Sequence, residues 1–159
     1  MSASNKYETL CGMLLFSAFG LLVETAFTGL AAFWSGSFKG GVSLLMIPVY
    51  SFSYCLGIYF LAYIEKTVIF RLFYRIPLIV IVIYIIEWCF GAFYKTLGLT
   101  PWHYNHGWAS DFSNGNITLY FLPAWVLFAF IVIPVLRIIQ SITPILIIKI
   151  QSEISRANR

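Results

Sequence analysis

Few of the 159 residues carry charge: ten are basic and six acidic, 10% of the chain, against 60% hydrophobic residues. Soluble domains carry about 25% charged residues, so this balance excludes a water-soluble globular fold. Cysteine is also scarce. Cys11, Cys55 and Cys89 fall in apolar stretches with no redox-motif spacing, which leaves them as small packing residues. No GxxxxGK[ST] phosphate loop occurs, so ATP hydrolysis would need a separate subunit. Long polar segments are few. Each helical span takes about 20 residues, and the length leaves no room for a soluble catalytic or nucleotide-binding domain. The net charge of +4 would point to nucleic acid in a soluble protein. Here the basic residues gather in short loops and at the C-terminus, where they act as topology signals; neither a nucleic-acid partner nor a cofactor is expected.

A mean hydropathy of +0.87 accords with an integral membrane protein. Four apolar blocks predict an all-α, polytopic single domain over 1–159, with spans at about 10–33, 42–64, 76–94 and 117–136. The first ends in a Gly/Ser/Lys-rich turn. The third opens with Pro77 in its first turn, where the missing N–H costs nothing. With four spans, Lys6, Lys66, Arg71, Arg75, Arg137, Lys149, Arg156 and Arg159 share one side, and only Lys39 and Lys95 lie on the other. This bias predicts a cell-membrane protein with both termini cytoplasmic. The first run contains Glu24 and is too long for a signal-peptide core, so it is expected to remain as a helix. The segment 137–159 is apolar but broken by Gln140, Thr143, Pro144 and Lys149, and reads as a basic cytoplasmic or interfacial tail. A partner-binding tail is the alternative.

Glu24 and Glu87 stand inside these spans. A carboxylate at mid-bilayer depth costs at least ~2.5 kcal/mol on insertion scales, so it normally faces a partner, a cavity or a transported species. Their surroundings repeat. Glu24, Phe27, Thr28 and Gly29 precede an outer turn and then Gly41, Ser43 and Pro48; Glu87, Phe90, Gly91 and Ala92 precede a longer loop and then Gly115, Thr118 and Pro123. The pattern predicts two hairpins related by a parallel repeat, an axis along the membrane normal. The two carboxylates should then lie at one depth, about 13 Å below the outer helix ends at 1.5 Å per residue. Two nearby carboxylates in low dielectric do not both ionise easily, so a shared proton or bound cation is expected between them. Gly20, Glu24 and Thr28 fall on one helical face, as do Tyr84, Glu87 and Gly91. The plainer alternative is that each glutamate is protonated and hydrogen-bonds a Tyr or Thr across the bundle to fix register.

The loop from Lys95 to Asn116 is polar and aromatic, with Trp102, His103, Tyr104, His106, Trp108 and Asp111. Interfacial anchoring is its simplest role. The spacing of His103, His106 and Asp111 is common to many loops, and no metal is expected. The Asn116-Ile117-Thr118 triplet matches a glycosylation acceptor but lies at the membrane edge.

Several of these residues together carry a resemblance. An intramembrane Glu in the first span, Ile47-Pro48-Val49-Tyr50, Ile86-Glu87-Trp88, Pro101-Trp102-His103-Tyr104 and Asn116-Ile117-Thr118-Leu119 resemble the small CmpB-like family, labelled ABC-transporter type IV permease. That family includes small vertebrate four-span proteins. Its members commonly carry an acidic residue between the loop Trp and Tyr, where this chain has His103. The resemblance implies a transporter association and a separate ATPase for any ABC-type role.

Three functions follow from these readings. One is a permease-like protein whose central carboxylate pair handles a proton, a cation or a small substrate. Another is an accessory or scaffold subunit of a larger membrane complex, and homo-oligomers are compatible with either. The third is lipid chemistry at the outer interface by His103, His106 or Asp111. It is disfavoured because the glutamates lie about 13 Å below that loop unless the loop folds inward.

Overall fold

The computed structural model describes residues 3–34, 41–66, 72–104 and 114–158. The described residues form four long helices and one short turn: α1 (Ala3–Trp34), α2 (Met46–Lys66), α3 (Leu72–Thr96), a 3-10 turn (Leu119–Phe121) and α4 (Leu122–Ala157). All four are long and apolar enough to cross a membrane. The chain is therefore an all-helical, four-span membrane protein. In hydrocarbon every backbone N–H and C=O must be satisfied within the segment, and the helix achieves this without neighbours.

The seam between α1 and α2 is built on small residues. A Cβ added to Gly12 would stand 2.1 Å from the Tyr54 hydroxyl, and one added to Gly20 would stand 2.6 Å from the Tyr50 ring. Between them, Ser17 is 3% exposed and its hydroxyl lies 2.9 Å from that of Ser51. Lipid tails are as apolar as Leu, so close van der Waals approach and interhelical hydrogen bonds hold such a seam. Glycine serves here because it lets a tyrosine ring lie flat on the opposing backbone.

Ring contacts then tie α1 to α4 and to the turn before it, with Phe19 stacked on Phe128 at 6.3 Å and Phe27 edge-on to Phe121 at 5.2 Å. Tyr94 near the end of α3 donates a 2.6 Å hydrogen bond to the Leu45 carbonyl beside the start of α2. That bond brings the α1–α2 and α3–α4 connections to the same end of the bundle. The main core gathers Phe16, Tyr54, Leu61, Ile79, Ala129 and Leu136 from all four helices. A smaller cluster of Met46, Val49, Ile86 and Tyr94 sits at the connection end. Cys11 and Cys55 are half-buried and Cys89 is exposed on α3.

Two elements differ from the sequence pattern. Helix α3 begins at Leu72, so Pro77 lies within it and not in its first turn. Its ring removes one i to i−4 bond, the one to the carbonyl of residue 73. Helix α4 continues without a break through Pro134 and Pro144 for 36 residues, about 54 Å, well beyond a hydrocarbon core of about 30 Å. Segment 137–157 is thus the continuation of the fourth helix. Ile139, Thr143 and Ile147 along it are buried, and the Thr143 hydroxyl donates to the Ile139 carbonyl at 2.5 Å.

The Gly12 contact makes the α1–α2 seam testable. Replacing Gly12→Val drives a side chain into Tyr54, and overpacking of this kind costs about 1–3 kcal/mol. The variant is expected to melt several degrees below wild type in detergent, whereas Ala18→Val, on an exposed position of the same helix, melts unchanged.

Candidate functional site

Both span glutamates take a hydrogen bond from a tyrosine on another element. The Tyr50 hydroxyl on α2 donates to Glu24 Oε2 at 2.8 Å, and the Tyr104 hydroxyl from the α3–α4 connection donates to Glu87 Oε1 at 3.0 Å. The carboxylates do not bond each other, yet they are near enough to interact electrostatically. Tyr50 stands between them: its ring covers Gly20, its hydroxyl holds Glu24, and it lines a cavity that Glu87 also lines.

Glu87 is the more deeply enclosed acid, 7% exposed. Its second oxygen, Oε2, is buried with no hydrogen-bond partner among the described residues, and Asn116 Oδ1 is in the same state. A buried acceptor left unpaired costs about 1–3 kcal/mol, more when charged. Asn116 packs against Gly91, one helical turn beyond Glu87 on α3, where an added Cβ would lie 2.9 Å from its amide. The buried acceptors thus cluster along one face of α3.

The connection that supplies Tyr104 is held at both ends. The Tyr104 N–H donates to the Gly115 carbonyl at 3.0 Å, the Trp102 indole N–H donates to the Asn116 carbonyl at 3.0 Å, and the Lys95 ammonium reaches the Asn114 carbonyl. Gly115 has φ +73, and an added Cβ would fall 2.2 Å from the His103 ring. Both the backbone conformation and the ring demand glycine there. Burial and the nearby Glu87 carboxyl push the Tyr104 phenol upward, so it stays protonated as a donor to Glu87.

The residues singled out by the sequence fall into distinct roles. Gly20 is a packing surface for Tyr50. The Thr28 hydroxyl donates to the Glu24 main-chain carbonyl at 2.9 Å and accepts from the Gly41 N–H at 3.1 Å; it does not touch the carboxylate. Tyr84 donates its hydroxyl to the Thr118 carbonyl at 3.1 Å and not to Glu87. Trp102 is half-buried with its ring edge-on to Tyr94 at 6.1 Å, packed inside the bundle end. His103 is exposed. His106, Trp108 and Asp111 lie outside the described residues, and among the described residues no three metal-ligating side chains converge. The loop folds inward to the depth of Glu87 through Tyr104, and the separation expected between loop and glutamate does not hold for that residue. Tyr50 and Asn116 complete the site. Sequence reasoning named Tyr50 only within a family pattern, and Asn116 there, as the end of the loop and as a glycosylation acceptor; a tyrosine on the facing helix at matched depth was a usable signal for Tyr50.

The cavity between α2, α3 and α4 has a volume of about 110 Å³ and an almost wholly apolar wall. Its polar lining consists of Tyr50, Ser53 and Glu87. Ser53 is spent within its own helix, donating to the Val49 carbonyl at 2.8 Å. Such a space can hold a proton on Glu87 or a molecule that offers a donor to Oε2.

Compared with protein-family models, curated proteins and solved structures, the chain matches none.

The Tyr104–Glu87 bond is open to a double-mutant cycle. Tyr104→Phe strips Glu87 of its one hydrogen bond and is expected to destabilise the protein by about 1–3 kcal/mol. The same change made in a Glu87→Leu background should cost much less, and a coupling energy near zero in thermal melts would show that the bond contributes nothing.

Proposed function

We propose that this chain is a permease-like membrane protein in which Glu24 and Glu87 form an intramembrane carboxylate site for a proton, a cation or a small cationic substrate. The observation that carries this reading is Glu87, which lines a cavity at span depth and whose buried Oε2 has no hydrogen-bond partner among the described residues. A group fixed only to set helix register would be expected to have both oxygens satisfied. The second oxygen is the place for a proton or for the donor of a bound species.

A repeated two-helix unit underlies the proposed site. In the register that pairs Glu24 with Glu87, Thr28 pairs with Gly91, and in the register that pairs Pro48 with Pro123, Gly41 pairs with Asn116 and Ser43 with Thr118. Thr28 meets Gly41 through side chain to backbone, and Gly91 meets Asn116 through backbone to side chain. Ser43 Oγ accepts from the Leu45 N–H at 3.3 Å, and Thr118 Oγ1 accepts from the Tyr120 N–H at 3.2 Å, two residues on in each case. These matched contacts support duplication in a parallel repeat. The helix ends give Glu24 ten residues (34 − 24) and Glu87 nine (96 − 87) to the connection end, about 15 and 14 Å of rise. In this reading the positive-inside bias puts both termini in the cytoplasm and the Tyr104 loop outside the cell membrane. The CmpB-like resemblance, at Glu87, Trp102 and Tyr104 among other positions, agrees with a transporter association.

One observation favours an accessory role as a second reading. Ile142, Ile145, Ile148, Ile150 and Ile154 are exposed on the part of α4 that exceeds a bilayer's depth. Apolar surface of that extent calls for lipid headgroups or a partner helix.

The two readings separate by experiment. In vesicles carrying the purified protein and a trapped pH-sensitive dye, an imposed membrane potential is expected to drive proton entry above protein-free vesicles. Glu24→Gln and Glu87→Gln should each lower it at least tenfold, and undiminished entry in either variant refutes the carboxylate site. A stoichiometric second protein retained after gentle solubilisation, and lost when Ile145 and Ile148 are both changed to Ser, would instead establish the accessory reading.

A further inference from the structure

The cavity that meets Glu87 limits what could occupy it. A calcium or magnesium ion takes six or more oxygen ligands, from carboxylates, carbonyls and waters. The polar residues of this wall are Glu87, Tyr50 and Ser53, the two hydroxyls already donated to Glu24 and to the Val49 carbonyl, and the rest is hydrocarbon and aromatic side chain. Such an ion would be under-coordinated here. An ammonium group on an apolar body would not: its N–H groups answer the free carboxylate oxygen, and its charge is balanced by the carboxylate. The aromatic lining of Tyr50, Trp125 and Phe128 also suits such a head.

Volume sets the size of the body. An apolar cavity of about 150 Å³ takes a benzene ring. At about 110 Å³ this one fits a shorter chain of roughly four carbons. A path into it is also visible. A second apolar groove of about 580 Å³ lies along α2 and α3, and Leu56, Val82 and Ile86 line both spaces. Leu56, Val82 and Ile86 thus belong to both walls, and the boundary they share is where a lipophilic molecule dissolved in the bilayer would pass between the helices.

We propose that the cavity binds a small primary alkylamine of about four carbons, its ammonium on Glu87 Oε2 and its chain among the α2, α3 and α4 side chains, entering from the bilayer between α2 and α3. This rests on the carboxylate-site reading above and names its ligand class.

Fluorine NMR of 4,4,4-trifluorobutylamine with the full chain in lipid nanodiscs tests it. Saturable broadening, reversed by unlabelled n-butylamine, is expected. Glu87→Gln, verified as folded by its melting curve, should weaken binding at least tenfold, and Ile133→Phe, which fills the wall while leaving Glu87 in place, should do the same. The neutral 1,1,1-trifluorobutane should be indifferent to Glu87→Gln. Amine binding unchanged in both variants, or 4,4,4-trifluorobutanol binding as tightly as the amine, overturns the proposal. Absence of saturable amine binding in protein that still shows Glu87-dependent proton entry overturns the ligand class and leaves the carboxylate site standing. Absence of both overturns the two together.

Discussion

Hydrogen bonding without water governs this molecule. In hydrocarbon a polar group either finds a protein partner or costs several kcal/mol, and the same rule that makes every span a helix also decides what may stand beside the two glutamates. Tyr50 and Tyr104 answer one oxygen each. Much of the remaining architecture can be understood as the support those two phenols need. Gly20 leaves room for the Tyr50 ring, and Gly115, with its positive φ and the His103 ring against it, turns the chain so that Tyr104 can descend.

Support and exception lie on the same helix. Along α3, the Tyr84 and Tyr94 hydroxyls find the carbonyls of Thr118 and Leu45 and so stitch the helix to its neighbours. Glu87 lies between them and keeps one oxygen unanswered, as does Asn116 beside Gly91. A bundle that satisfies the surrounding hydroxyls while leaving these two acceptors open concentrates its unmet polarity at one place. Unmet polarity beside an apolar cavity has the form of a binding site: most of the wall is hydrocarbon, and a single acceptor fixes orientation.

The two halves of the chain solve the same problem by different means. The first uses a helix-borne tyrosine, Tyr50, and a short connection; the second uses Tyr104 on a longer connection whose ends are joined by the bonds of Trp102 and Tyr104 to Asn116 and Gly115. Trp125, near the start of α4, lines the cavity.

Much of this was legible in the residue order. Scarcity of charge and four apolar blocks determine a four-span helical protein, because a helix is the one open-ended segment that satisfies its own backbone in lipid. Glu24 and Glu87 could likewise be picked out, since the cost of a carboxylate at that depth is a property of the residue and its neighbours in sequence. The partners of those carboxylates could not. Helical periodicity set Thr28 and Tyr84 on the faces of the acids, but a shared face does not determine which atoms meet, and both hydroxyls went to backbone carbonyls. The inward path of Tyr104, the continuity of α4 through Pro144, and the unpartnered Oε2 of Glu87 depend on contacts between segments far apart in the chain. Only the packed bundle decides them, because hydrogen-bond partners and cavities are set by how helices approach, which no local pattern encodes.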